Sequence, residues 1–174
     1  MSEASISVAH LVNRFFSSVR RVGPNRGDEA WAAEQLLAPE RELWSGMSEA
    51  DRRHGIAVAT RVAAALGPQV TRAVIAAALL HDVGKTVSAF DTLGRVIATL
   101  AIAVAGRARA ESWNKGFKRR IALYSRHPEL GADLLSGAGS DPITIAWARE
   151  HHRPEGAWSV PLEIARALRA ADQE

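Results

Sequence analysis

The chain has no cysteine among its 174 residues. That excludes a disulfide framework, a thiolate metal site and a cysteine nucleophile, so any metal must be held by nitrogen and oxygen donors. Aromatic residues are scarce, at 6% with one tyrosine. No Asn-Gly or Asp-Gly dipeptide separates apolar runs, and β-branched residues seldom alternate with polar ones, which argues against strands and hairpins. Long apolar stretches are missing too. The longest, Val96 to Ala105, is interrupted by Thr99 and falls short of the roughly 20 residues a bilayer-spanning helix needs. Met1 to Ala9 has no basic start, apolar middle or small-residue cleavage site of a signal peptide, so a cytoplasmic location is the default expectation. Charge of one sign does not dominate either. Twenty-two Lys and Arg stand against 19 Asp and Glu, a formal net charge of +3. The excess is compatible with a phosphorylated substrate or with weak polyanion binding, but it is not the dense basic stripe interleaved with aromatics that marks a nucleic-acid binder.

What is present is alanine- and leucine-rich sequence, 47% hydrophobic, long enough to bury one real core. The expected fold is all-α and single-domain, with N-terminal helices over 1–46 packing on or extending a body over 47–174. Ile6 to Arg20 reads as an amphipathic helix with Val8, Leu11, Val12, Phe15, Phe16 and Val19 on one stripe. Packing on the body is favoured over a membrane-surface or partner-binding role. Helices are then expected from about Asp28 to Leu37, and after Pro39 with Leu43 and Trp44 facing inward. Ser48-Glu49-Ala50-Asp51 resembles a capping box opening a helix that Gly67-Pro68 closes at Leu66. Further helices are expected over Val70 to Leu80, Leu93 to Ala105, Lys118 to Ser125 and from Pro128 toward Gly137. Asp141-Pro142 and Pro161 open the last two.

Six histidines punctuate this pattern: His10, His54, His81, His127, His151 and His152. All but His10 stand beside a helix end or a charged motif. His81-Asp82 follows the wholly apolar Ala76 to Leu80, so two ionisable side chains arrive at the end of a buried helix. Burying them unpaired costs several kcal/mol, and a cation tying imidazole to carboxylate removes that cost, with the second carboxylate oxygen free to bridge a neighbouring ion. His151 and His152 point about 100° apart on a helix, so they grip one ion only if the helix end points at it. Pro154 supplies such an end. The alternative is that they cap the last carbonyls of that helix.

His54, His81-Asp82 and Asp172, in that order, resemble the His, His-Asp, Asp signature of the HD superfamily of metal-dependent phosphohydrolases. His81-Asp82-Val83-Gly84-Lys85 is similar to the His-Asp-[Ile/Val]-Gly-Lys core of its HDIG and HD-GYP branches. His127-Pro128-Glu129-Leu130-Gly131 resembles their His-Pro-x-x-Gly element, and His151-His152 their paired histidines. The resemblance covers roughly Met47 to Asp172. It implies a helical HD-domain fold with His54, His81, Asp82 and Asp172 around one divalent ion, His127, His151 and His152 around a second, and Asp82 bridging them. It also implies that Lys85 meets a substrate phosphate, the alternative being a surface lysine.

The function expected from the resemblance is metal-dependent hydrolysis of a nucleotide or another phosphate mono- or diester, with Asp82 and Lys85 in catalytic roles. The alternative is an inactive HD-type signalling or nucleotide-binding module. Histidine and carboxylate donors without thiolate fit iron or manganese best, with nickel, zinc or magnesium also compatible. Two departures bound the resemblance. Arg153 follows the paired histidines and the chain continues Pro154-Glu155-Gly156-Ala157-Trp158, without a Gly-Tyr-Pro loop, so the likeness stops short of cyclic-dinucleotide cleavage. Ala50 stands where a third-metal glutamate would precede the first histidine, so at most two ions are expected.

Overall fold

Short polar side chains, glycine and proline set most helix boundaries in this chain. The computed structural model describes residues 26–173, and the expected helix over Ile6 to Arg20, with His10, lies outside them. Among the described residues there are ten α-helices and no strand. In chain order these are α1 (Arg26–Glu34), α2 (Ala38–Ser45), α3 (Glu49–Leu66), α4 (Arg72–Leu80), α5 (Thr92–Ala105), α6 (Arg107–Glu111), α7 (Gly116–Ser125), α8 (His127–Gly137), α9 (Pro142–Glu150) and α10 (Leu162–Gln173). The all-α expectation holds. The helix expected to run to Leu37 stops at Glu34, and α6 was not foreseen because Gly106 and the tryptophan-containing turn at 112–115 enclose only one turn of helix.

Local chemistry explains the starts. Ser48 Oγ accepts the Asp51 N–H at 3.2 Å and donates to Asp51 Oδ2 at 2.7 Å. This is half the expected capping box, because the other Asp51 oxygen is drawn 2.5 Å from the Arg95 guanidinium. Thr71 and Asp91 cap α4 and α5 by accepting the N–H three residues on, which satisfies otherwise orphaned donors. Pro128 and Pro142 occupy first turns, where no N–H partner is lost. Gly67 closes α3 at φ +52°, a left-handed-side backbone that favours glycine.

Helix α4 forms the centre. Val74 through Leu80 are all buried, with α3 on one side, α9 on the other, α10 against α3 and α8 against α9. The main core joins Val58, Val62, Leu79, Leu80, Leu135, Trp147 and Leu168. Each such side chain contributes roughly 1.5–3 kcal/mol relative to exposure. Ala32 and Trp44 from the first two helices, and Leu36 from the turn between them, enter this same core. A smaller cluster of Phe90, Ala98, Ala110 and Ile121 ties α5, α6 and α7 together.

Two close backbone approaches set the spacing of the elements around α4. A Cβ at Gly55 would lie 2.6 Å from the Leu79 carbonyl oxygen, and one at Gly84 would lie 2.0 Å from the His127 carbonyl oxygen and 2.6 Å from the Gly131 amide nitrogen. Glycine therefore lets α3 sit directly on α4, and lets the 3-10 segment Val83–Ser88 sit directly on the start of α8.

Candidate metal centre

Helix ends deliver all the donors but His54. His54 comes from the first half of α3, His81 and Asp82 from the C-terminal end of α4, His127 from the first position of α8, His151 and His152 from the end of α9, and Asp172 from the last turn of α10. Asp172 is near the end of the described chain, yet its helix is docked: Ala165 and Leu168 are fully buried and Ala171 nearly so. Arg61 Nη1 also donates to the Ala171 carbonyl at 3.1 Å.

Three imidazoles are held by the same device. The Nδ1 of His81, His127 and His151 lies 2.9, 2.8 and 2.9 Å from the carbonyl oxygens of Ala78, Tyr124 and Ala148, each three residues earlier. A carbonyl only accepts, so Nδ1 carries the hydrogen and Nε2 faces the centre. Such a second contact fixes tautomer and ring orientation in metal-binding histidines. For His151 the capping and ligand alternatives are one arrangement, since the ring caps α9 through Nδ1 while Nε2 points at Asp82. That Nε2 is fully buried and has no hydrogen-bond partner among the described residues.

The inward atoms form two groups around one carboxylate. In the first, His54 Nε2 is 2.8 Å and His81 Nε2 3.5 Å from Asp172 Oδ1, and His81 Nε2 is 3.6 Å from Asp82 Oδ2. In the second, His127 and His151 Nε2 lie 3.5 and 3.7 Å from Asp82 Oδ1, and His152 Nε2 is 3.2 Å from His127 Nε2. Donors bound about 2.1 Å from one tetrahedral ion stand about 3.4 Å from each other. The observed spacings bracket that value. His54, His81 and Asp172, and separately His127, His151 and His152, are groups able to hold a metal ion, and Asp82 turns one oxygen to each.

The electrostatics divide the centre in two. Burial favours a neutral Asp82, but Lys85 and His81 outweigh it and hold the carboxyl well below its usual range. Asp172 is likewise held far below it, burial being overcome by hydrogen bonds from His54 and His81. Burial opposes charge on His81, yet Asp82 and Asp172 push it up to about 9. His127 goes the other way, down to about 3 through burial and Lys85. Burial and the neighbouring imidazoles His152 and His81 keep His151 well below its ordinary value, and burial lowers His152 as well. The side with two carboxylates thus takes up a proton, while the all-histidine side keeps neutral rings with lone pairs available.

No family model, curated protein or solved structure matches this chain. All seven ligand-type residues expected from the sequence converge. Lys85 also reaches the centre, where its ammonium bonds Asp82 Oδ2 rather than standing apart on the surface. Three cations beside the centre went unread as site residues: Arg107, Arg149 and Arg153, which line a cleft with His152. Arg153 counted in the sequence only as a departure from a motif, and nothing in its spacing from Arg107 signals that α6 and the end of α9 line one cleft.

Proposed function

We propose that this chain is a metal-dependent phosphohydrolase of the HD type, acting on a nucleotide or another phosphate ester through two divalent ions. His54, His81, Asp82 and Asp172 would hold one ion, and His127, His151, His152 and Asp82 the other. The observation that carries the proposal is Asp82: one buried carboxylate stands between two donor groups, with three imidazoles already locked to present Nε2. Nitrogen and oxygen donors without thiolate favour iron or manganese, with nickel, zinc or magnesium compatible.

Bound divalent ions would supply Lewis acidity toward the phosphoryl oxygens and an activated water at neutral pH. The chain's own residues do the rest. Asp82 and Asp172 supply the carboxylate charge that would balance bound cations, and the Ala78, Tyr124 and Ala148 carbonyls hold the rings in register. Lys85, four-fifths covered and bonded to Asp82, would be the residue that meets a substrate phosphate at this centre. A compact ammonium then suits a phosphate oxygen as a point charge. The Lys85–Asp82 bond also favours one second reading, a binding module in which this lysine stays on the carboxylate and turnover is absent.

The test is elemental analysis after manganese loading, followed by hydrolysis of bis(p-nitrophenyl) phosphate and nucleotides. Bound metal together with turnover, both lost in Asp82→Ala, supports the proposal. A protein that takes up no metal with every donor intact overturns it. Nucleotide binding that survives Lys85→Ala in a protein without turnover selects the binding module.

A further inference from the structure

A cleft of about 270 Å³ opens beside the second donor group, walled by α6, the start of α8 and the end of α9. His152 belongs to both: its Nε2 is 3.2 Å from His127 Nε2, and its ring lines the cleft. Arg107, Arg149 and Arg153 line it as well, facing Glu111 and Glu129. The charges divide unequally. Arg107 is committed, its Nε 2.6 Å from Glu111 and its Nη2 3.3 Å from Glu129, so one guanidinium is shared by both carboxylates and the lining as a whole keeps a net positive charge.

The other two guanidiniums are left over. Arg149 has a single 3.5 Å contact with Asp133, whose side chain is 73% exposed, a contact weak in water. The Arg153 backbone is fixed at both ends, its N–H donating to the Glu150 carbonyl at 2.7 Å and its carbonyl accepting from Trp158 Nε1 at 3.0 Å. Its guanidinium has no ion pair or hydrogen bond among the described residues. Two planar guanidiniums on a fixed backbone, next to a ring of the donor cluster, match the forked geometry that recognises phosphate oxygens.

We propose that Arg149 and Arg153 bind a second phosphoryl group, so that the substrate carries a diphosphate or longer phosphate chain rather than a lone monoester. The proposal rests on the phosphohydrolase reading: one phosphoryl group sits at the second donor group and its neighbour along the chain reaches the cleft. The volume suits this, since it lies below the range of pockets that enclose a whole drug-sized ligand. The cleft takes the phosphate chain and leaves the organic part outside.

AMP and ADP, which differ by one phosphoryl group, are the probes. Each is titrated calorimetrically into manganese-loaded protein with manganese in excess, and retained metal is checked by elemental analysis. ADP should bind at least about tenfold more tightly than AMP, a modest gain for charge-assisted contacts. The double variant Arg149→Gln/Arg153→Gln should close that gap, while its thermal midpoint and metal content stay at wild-type values. Equal affinities, no binding by either nucleotide, or a gap that survives in the double variant overturns the subsite. Hydrolysis of bis(p-nitrophenyl) phosphate is read separately. Turnover without an ADP preference removes the subsite and leaves the hydrolase reading standing, whereas metal-free protein removes the hydrolase reading itself.

Discussion

Asp82→Asn separates a shared metal centre from a chance gathering of histidines. The carboxylate stands 3.5 to 3.7 Å from Nε2 atoms of both groups, so its loss should weaken both ions, whereas His54→Gln touches the first group alone. A ligand at one hundred times its Kd stabilises the folded state by about 2.7 kcal/mol. In a domain of this size each kcal/mol moves the thermal midpoint about 2–4 °C. Each ion should therefore raise the midpoint by about 5–10 °C. Differential scanning fluorimetry with manganese, and again with EDTA, reads the shift, and elemental analysis reads the stoichiometry. Asp82→Asn also removes the partner of Lys85 and so changes the metal-free midpoint, which is why the metal-dependent difference is the quantity to compare. Two ions and the full shift are expected for wild type, one ion and about half the shift for His54→Gln, and little of either for Asp82→Asn. Wild-type stoichiometry and an undiminished shift in Asp82→Asn would refute the bridging role.

Gly84→Ala should destabilise the fold by about 3 kcal/mol or more, at or beyond the upper end of ordinary overpacking, because both close neighbours of the new methyl are backbone; urea unfolding measures it. Leu168→Ala should cost about 2–5 kcal/mol and also weaken metal binding at the first group, since fully buried Leu168 docks the helix that carries Asp172; an unchanged metal affinity would show that α10 positions Asp172 without that contact. Arg72→Met strands the fully buried Glu40, whose Oε2 receives the guanidinium at 3.2 Å. A loss near 3 kcal/mol is expected, toward the low end for a broken buried pair because Arg72 itself is partly exposed, and Glu40→Gln in the same background should recover most of it.

Many elements were legible because their boundaries are written in residues with local chemistry: Ser48 as a cap, Pro128 and Pro142 in first turns, Gly67 with Pro68 as a stop. The caps Thr71 and Asp91 were not read, and the helices they open start at Arg72 and Thr92 rather than at Val70 and Leu93. The seven donors were legible through their order and their neighbours. Other features depend on distant partners and leave no local mark. The Glu40–Arg72 pair spans 32 positions and the Asp51–Arg95 pair 44. Nothing near either member announces the other. The half-formed capping box at Ser48 has the same cause, because Arg95 competes for the Asp51 carboxylate and wins with a full charge over a backbone N–H.

Gly84 joins the two levels. In the sequence it reads as a turn glycine, but its backbone is not left-handed; among the described residues the only non-glycine with positive φ is Ala89. What Gly84 provides is missing volume. Without a Cβ the 3-10 segment lies against the first turn of α8, and Gly131 meets it from the other side, where its own Cβ would be 3.1 Å from the Gly84 amide nitrogen. That contact fixes the distance between Asp82, two residues before Gly84, and His127, whose carbonyl the new methyl would strike. A centre assembled from five helices, four of them contributing at their ends, needs its donors held to within about 0.5 Å, and here the constraint is carried by backbone packed on backbone, which cannot relax as side chains do.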